Sequence, residues 1–194
     1  GVLTAALAER AGRVVALEID RELVEILHEA LAFPNVSVIA ADAAAADWRE
    51  ILQECGWAGE PLKLAANLPY YITTPLLMKA LESDLPFRAV VVMVQREVAS
   101  RMVAAPGGKE YGILTLAVEY YAHAELVAKV PRTVFIPAPE VDSAVVKLTP
   151  KAPPVSAPRE PLFSVIRAAF QQRRKTIRNA LKPTAQAWGL SAEQ

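Results

Sequence analysis

The chain has 194 residues, 53% of them hydrophobic, a length and apolar content that allow a proper core and one domain with an appendage. A lone Cys55 excludes a disulfide framework and a cysteine metal cluster, and the two histidines, His28 and His123, are too scattered for a metal site. No apolar run approaches the roughly 20 residues that cross a bilayer, and no charged-then-apolar leader opens the sequence, so a soluble cytosolic protein with no membrane contact is expected.

The zero net charge conceals an asymmetry. Residues 1–150 carry 13 basic against 19 acidic side chains, whereas residues 151–194 carry 8 against 2. The basic end is a candidate polyanion contact, with a solvated helical face as the plainer reading.

The opening, Gly1-Val2-Leu3-Thr4 followed by residues 5–11, reads as the end of a glycine-containing turn entering a helix, whose unpaired amides suit the polar end of a nucleotide-like ligand. Residues 13–17 form a β-branched strand ending in Glu18-Ile19-Asp20, and 21–31 have a helical pattern. Glu18, 17 positions after Gly1, has the place of the acidic residue that accepts hydrogen bonds from ribose hydroxyls in dinucleotide and related folds; a helix-capping charge is the alternative. A further strand, 36–40, ends in Ala41-Asp42-Ala43 and puts a second carboxylate at the same sheet edge. Asp42 can accept from an aromatic amino group, its small neighbours leaving room for a ring, or it can cap the next segment. Residues 47–60 read as helix and then loop, with Trp48 and Trp57 as packing residues.

The buried strand at 62–66 runs into Asn67-Leu68-Pro69-Tyr70, at the strand's carboxyl end where open α/β sheets bind ligands. The amino group of adenine is a poor nucleophile because its lone pair is delocalised into the ring. The side-chain oxygen of Asn67 and the carbonyl of Leu68 can each accept one of its hydrogens and draw the nitrogen towards tetrahedral geometry. Pro69 biases Leu68 to extended backbone, and Tyr70 offers a face for stacking an extruded base. A proline turn with a half-buried tyrosine is the structural alternative.

Thr74 and Pro75 have the form of an N-cap and first helical residue. Residues 89–94 are the most apolar strand, as a central one should be, followed by a helix with Gln95, Arg96, Glu97 and Arg101 on its polar side. Residues 105–109 form a loop, 111–121 a helix, and 126–130 and 144–148 two strands. Between those strands lies Phe135-Ile136-Pro137-Ala138-Pro139-Glu140-Val141-Asp142-Ser143, where an aromatic on a stiff loop suits pressing on a base. The pattern is α/β: a doubly wound, mostly parallel sheet with an antiparallel pair at its end. Five prolines in 150–161 mark a linker, and 162–181 read as helical, with Arg167, Arg173, Arg174, Lys175 and Arg178 able to meet phosphates.

Six stretches together carry a resemblance: Gly1-Val2-Leu3-Thr4, Ala16-Leu17-Glu18-Ile19-Asp20, Ala41-Asp42-Ala43, Asn67-Leu68-Pro69-Tyr70-Tyr71-Ile72-Thr73-Thr74-Pro75, the Phe135 to Ser143 loop, and Phe170-Gln171-Gln172-Arg173-Arg174-Lys175-Thr176. In this order and spacing the chain resembles the small-subunit ribosomal RNA adenine dimethyltransferases of the KsgA type, which depend on S-adenosyl-L-methionine. The resemblance implies a Rossmann-like class I methyltransferase sheet over 1–150, a linker at 151–161 and the start of a small α-helical RNA-binding domain at 162–194. It implies that Gly1, Glu18, Ile19, Asp42, Ala43 and Asn67 line the cofactor, with Glu18 at the ribose and Asp42 and Ala43 at the adenine. Asn67 and Leu68 would hold the target N6, with Pro69 setting the Leu68 backbone, Tyr70 and Phe135 would sandwich the base, and Arg173, Arg174, Lys175 and Arg178 would hold RNA.

The implied reaction is dimethylation of two adjacent adenosines in 16S rRNA within the 30S particle, late in its assembly, by a monomer that uses no metal. Family members also have a first strand and a loop of the form Glu-x-Gly-x-Gly-x-Gly. Only its last glycine is present here, as Gly1, so truncation at both ends is expected. The rival readings are a macrolide-resistance type methyltransferase acting on large-subunit rRNA and a mainly non-catalytic assembly factor.

Overall fold

The computed structural model describes residues 1–171 and 175–190. Helix α1, Val2–Ala8, leads into strand β1, Val14–Glu18, helix α2, Arg21–Ala30, and strand β2, Val36–Ala40. Strands β1 and β2 pair in parallel from Val14 opposite Val36 to Glu18 opposite Ala40, so both release their following loops at one edge. Val24, Leu31 and Val38 bury the small core between these strands and α2. The Asn35 side-chain amide donates to the carbonyls of Ala8 at 2.9 Å and Ala11 at 2.8 Å, closing the end of α1 onto the turn before β2.

Helix α3, Trp48–Glu54, precedes the larger sheet, made of β3, Leu62–Asn67, β4, Phe87–Gln95, β5, Ala122–Val130, and β6, Ser143–Pro150. Its order is β3-β4-β6-β5, with β4 parallel to β3 and antiparallel to β6. Along β4 every second residue turns inwards, and Val90, Val92 and Val94 are buried with Val146 and Leu148 of β6. Burying each such side chain contributes about 1.5–3 kcal/mol, and this face fixes the register of the strands that carry the site. Helices α4, Thr73–Glu82, α5, Arg96–Met102, and α6, Ile113–Tyr121, add Leu77, Ala99 and Val118 to the same core.

The mostly parallel α/β arrangement with an antiparallel last strand is present; among the described residues its strands form a two-stranded and a four-stranded ladder, because β1 and β3 do not pair. Three expectations are corrected. Helix α1 begins at Val2 with Gly1 as its N-cap, rather than at Ala5, and ends at Ala8. Thr74 is not the cap of α4: a 3-10 turn, Tyr70–Ile72, runs straight into the helix at Thr73, leaving Thr74 and Pro75 in a first turn that needs no amide from proline. The continuous helix at 162–181 is two helices, α7, Arg159–Gln171, and α8, Ile177–Ala187. Helix α7 begins before the last proline of the Pro-rich stretch and packs on α6, with Phe163 buried against the rings of Tyr120 and Tyr121. Arg159 pairs with Glu82 of α4 at 2.5 Å. Among the described residues no helix is long and apolar enough to cross a membrane.

Candidate active site

Asn67 ends β3 opposite Met93, and the next amide, of Leu68, still donates to the Met93 carbonyl at 3.2 Å. The chain then leaves the sheet. Leu68 is buried and plugs this exit into the main core, while Thr73, also buried, donates its hydroxyl to the Pro69 carbonyl at 3.0 Å. The turn is therefore anchored from beneath on both sides, and Asn67, Pro69 and Tyr70 face outwards. The Asn67 side chain makes no hydrogen bond among the described residues, so its carboxamide is available to a ligand.

Tyr70 is held at its far end. Its hydroxyl lies 2.9 Å from Oγ of Ser143, the first residue of β6, which is only 1% exposed. Ser143 is also the register partner of Gln95 in β4 and Val130 in β5. The loop bearing Phe135 leaves the sheet after Val130 and returns at Ser143, so it rises from the point where Tyr70 is pinned. Asp142 frames its base: Oδ1 accepts from the Arg132 amide at 3.0 Å and its carbonyl from the Arg96 amide at 2.9 Å. The Arg132 guanidinium donates to the Glu140 carbonyl at 3.1 Å. The Arg96–Asp142 ion pair, at 3.7 Å between exposed groups, adds little. Phe135 is half-buried on this framed loop and is not stacked on Tyr70.

At the edge of the small sheet neither Glu18 nor Asp42 caps a helix, but Asp42 caps the 43–46 turn, its side chain accepting from the Ala44 amide and its carbonyl from the amides of Ala45 and Ala46. Asp20, not Glu18, caps α2, accepting from the amides of Glu22 at 2.9 Å and Leu23 at 3.3 Å. Asp47, not Asp42, caps α3. Glu18 Oε1 accepts from the Asp20 amide at 3.1 Å, and Asp42 Oδ1 from the Ala44 amide at 2.8 Å. The second oxygen of each makes no hydrogen bond among the described residues. Ile19 is exposed beside Glu18, and Ala43 is half-buried with its carbonyl accepting from Trp48 Nε1 at 2.8 Å. Gly1 is exposed at the N-cap of α1; a Cβ there would lie 2.9 Å from Leu27 Cδ2, the movable end of that side chain.

Lys175 and Arg178 are exposed around the start of α8, and Arg167 is exposed on α7. Arg173 and Arg174 lie outside the described residues. The sequence reading gave no role to Thr73, Ser143 or Lys79. Thr73 and Ser143 stand inside the quoted motifs, where a hydroxyl among apolar neighbours was the available signal; Lys79 has no signal beyond a lysine in an apolar helix.

The family profile described as ribosomal RNA adenine dimethylase matches residues 1–191. The chain belongs to the ribosomal RNA adenine dimethylase family. It is 52% identical to the ribosomal RNA small subunit methyltransferase A of Anoxybacillus flavithermus, over 93% of this chain and 62% of that protein. It is 50% identical to the Bacillus thuringiensis protein of the same name, over 93% and 63%. The chain thus spans less than two thirds of the length of these relatives. Among solved structures it is similar to a dimethyladenosine transferase from Plasmodium falciparum, with TM-score 0.80 and 26% identity over 98% of this chain and 72% of that one. It is also similar to the 23S rRNA methyltransferase ErmE, with TM-score 0.74 and 26% identity over 100% and 80%. Both are α/β folds of the Rossmann-like methyltransferase kind, as the order of elements here requires.

Proposed function

We propose that the protein transfers methyl groups from S-adenosyl-L-methionine to N6 of two adjacent adenosines in 16S rRNA, giving N6,N6-dimethyladenosine. It acts on the 30S particle during late assembly, in the cytoplasm and as a monomer. The observation that carries this reading is the Asn67 to Tyr70 turn, with a free carboxamide at a strand end and a tyrosine ring fixed beside it by a buried serine. Identity of 50% or more to relatives named for the small-subunit RNA favours that substrate over the one named for ErmE.

The residues present fit the cofactor. Glu18 and Asp42 stand at adjacent strand ends, each with one oxygen fixed by a local amide and one free, which matches ribose hydroxyls and an adenine amino group as donors. When bound, S-adenosyl-L-methionine supplies an electrophilic methyl group on a sulfonium sulfur. Asn67 Oδ1 and the Leu68 carbonyl accept the two N6 hydrogens and localise the nitrogen lone pair for attack. Each transfer forms one C–N bond, breaks one C–S bond and releases one N6 proton to water. After the first transfer one hydrogen remains to hold the amine. After the second none does, and the product loses both bonds to the turn. Tyr70 and Phe135 stack the extruded base, and the basic surface of α7 and α8, together with Arg173 and Arg174, meets the phosphates.

The test is methyl transfer from labelled S-adenosyl-L-methionine to undermethylated small subunits and, in a parallel reaction, to unmethylated large-subunit RNA, with the modified nucleoside identified by mass spectrometry. N6,N6-dimethyladenosine in small-subunit RNA is expected. Label found only in large-subunit RNA would replace this reading with the ErmE-like one, and binding without product would leave an assembly factor.

A further inference from the structure

Lys79 projects from α4 across to the loop that follows β2. Its Nζ donates to the carbonyls of Ala43 at 3.0 Å, Ala44 at 2.8 Å and Ala46 at 2.6 Å. Three acceptors use all three hydrogens of an ammonium group. The same group lies 5.1 Å from the centroid of the Trp48 ring, whose own N–H is bound to the Ala43 carbonyl. The opposite polarity of this loop is gathered by Asp42: its carboxylate accepts from the Ala44 amide and its carbonyl from the amides of Ala45 at 3.1 Å and Ala46 at 2.8 Å. The loop's amides therefore converge on Asp42 and its carbonyls on Lys79. Burial lowers the pKa of Lys79, and the Asp42 and Asp47 carboxylates act against that shift.

The connection links two parts of the molecule that share no strand ladder. Helix α4 continues directly from the 3-10 turn after Asn67-Leu68-Pro69, and the 43–46 loop adjoins Asp42. We infer that Lys79 is a positioning residue, a latch that fixes the adenine-binding loop of the cofactor site relative to the Asn67 turn. The inference rests on the cofactor role proposed for Asp42 and Ala43. Lys79 acts through the three carbonyls that use its three hydrogens.

The variant Lys79→Met keeps an unbranched stem beside Trp48 and removes the donors. Calorimetric titration with S-adenosyl-L-methionine is expected to show affinity at least about tenfold weaker than the parent. Binding of small-subunit RNA should stay within about twofold, and hydrogen exchange should rise in 41–47 alone. Lys79→Arg, which keeps a cation with several donors, should recover most of the affinity. Unchanged cofactor affinity in Lys79→Met would overturn the latch, as would exchange that rises equally through α4 and β3, the mark of a general brace. A parent chain that binds no cofactor would instead refute the proposed function. Should Lys79→Met not fold, acetic anhydride labelling of the parent decides: bound cofactor should slow acetylation of Lys79, and an unchanged rate would overturn the inference.

Discussion

At the scale of single residues, the site depends on polar groups that the fold cannot leave unpaired. Ser143 is buried, and its hydroxyl finds its partner in Tyr70, 73 positions away in sequence. Either Tyr70→Phe or Ser143→Ala removes this one bond, worth about 0.5–1.5 kcal/mol, and frees the ring to leave the stacking position. Each single change is therefore expected to slow methyl transfer by about 2- to 12-fold, and the double variant no more than the worse single one. Independent, multiplying losses in the double-mutant cycle would show that the bond does not hold the ring. The placement of Glu18, Asp42 and Asn67 at or just beyond strand ends was legible from the bounded apolar runs before them; the roles given to them are the proposal above. The Ser143 partnership was not legible, because no local spacing relates it to Tyr70.

At the scale of elements, periodicity and β-branching located every strand, since β1 to β4 alternate or run apolar in short bounded segments. Boundaries failed where tertiary bonds replaced local signals. Helix α4 begins two residues early, at Thr73 rather than Pro75, where Thr73 turns its hydroxyl back to Pro69, and β5 starts at Ala122 directly from α6, with no turn residue between them. The break between α7 and α8 has neither glycine nor proline to announce it. Helix α7 docks through one buried ring, Phe163, between Tyr120 and Tyr121. Phe163→Ala should cost about 3–5 kcal/mol and raise hydrogen exchange first in α7 and α8, leaving β4 and β6 protected. Uniform loss of protection would mean that the helical pair and the sheet form one cooperative unit.

At the scale of the whole molecule, the sequence separates an acidic α/β part from a basic helical end, and the strands of the first part form two ladders. That second division was not legible, because each strand reads correctly by itself and only pairing shows the gap between β1 and β3. What spans the gap is side-chain chemistry: Lys79 on the 43–46 carbonyls, and Trp48 edge-on to Phe87 at 6.4 Å between centroids. The turn at Asn67 sits on the larger sheet, the paired carboxylates on the smaller, and the proposed reaction requires both.

The most direct measurement is Asn67→Ala, assayed for methyl transfer to undermethylated small subunits and, separately, for binding to them. Asn67 is exposed and its side chain makes no hydrogen bond among the described residues, so the fold and the particle contact should remain. Methyl transfer should fall by about 10²- to 10³-fold, as when a preorganised hydrogen-bonding group is removed from a reacting centre, with binding within about twofold of the parent. Methyl transfer that survives the substitution, or that falls only in step with binding, would contradict the assignment of this turn to the reacting amino group.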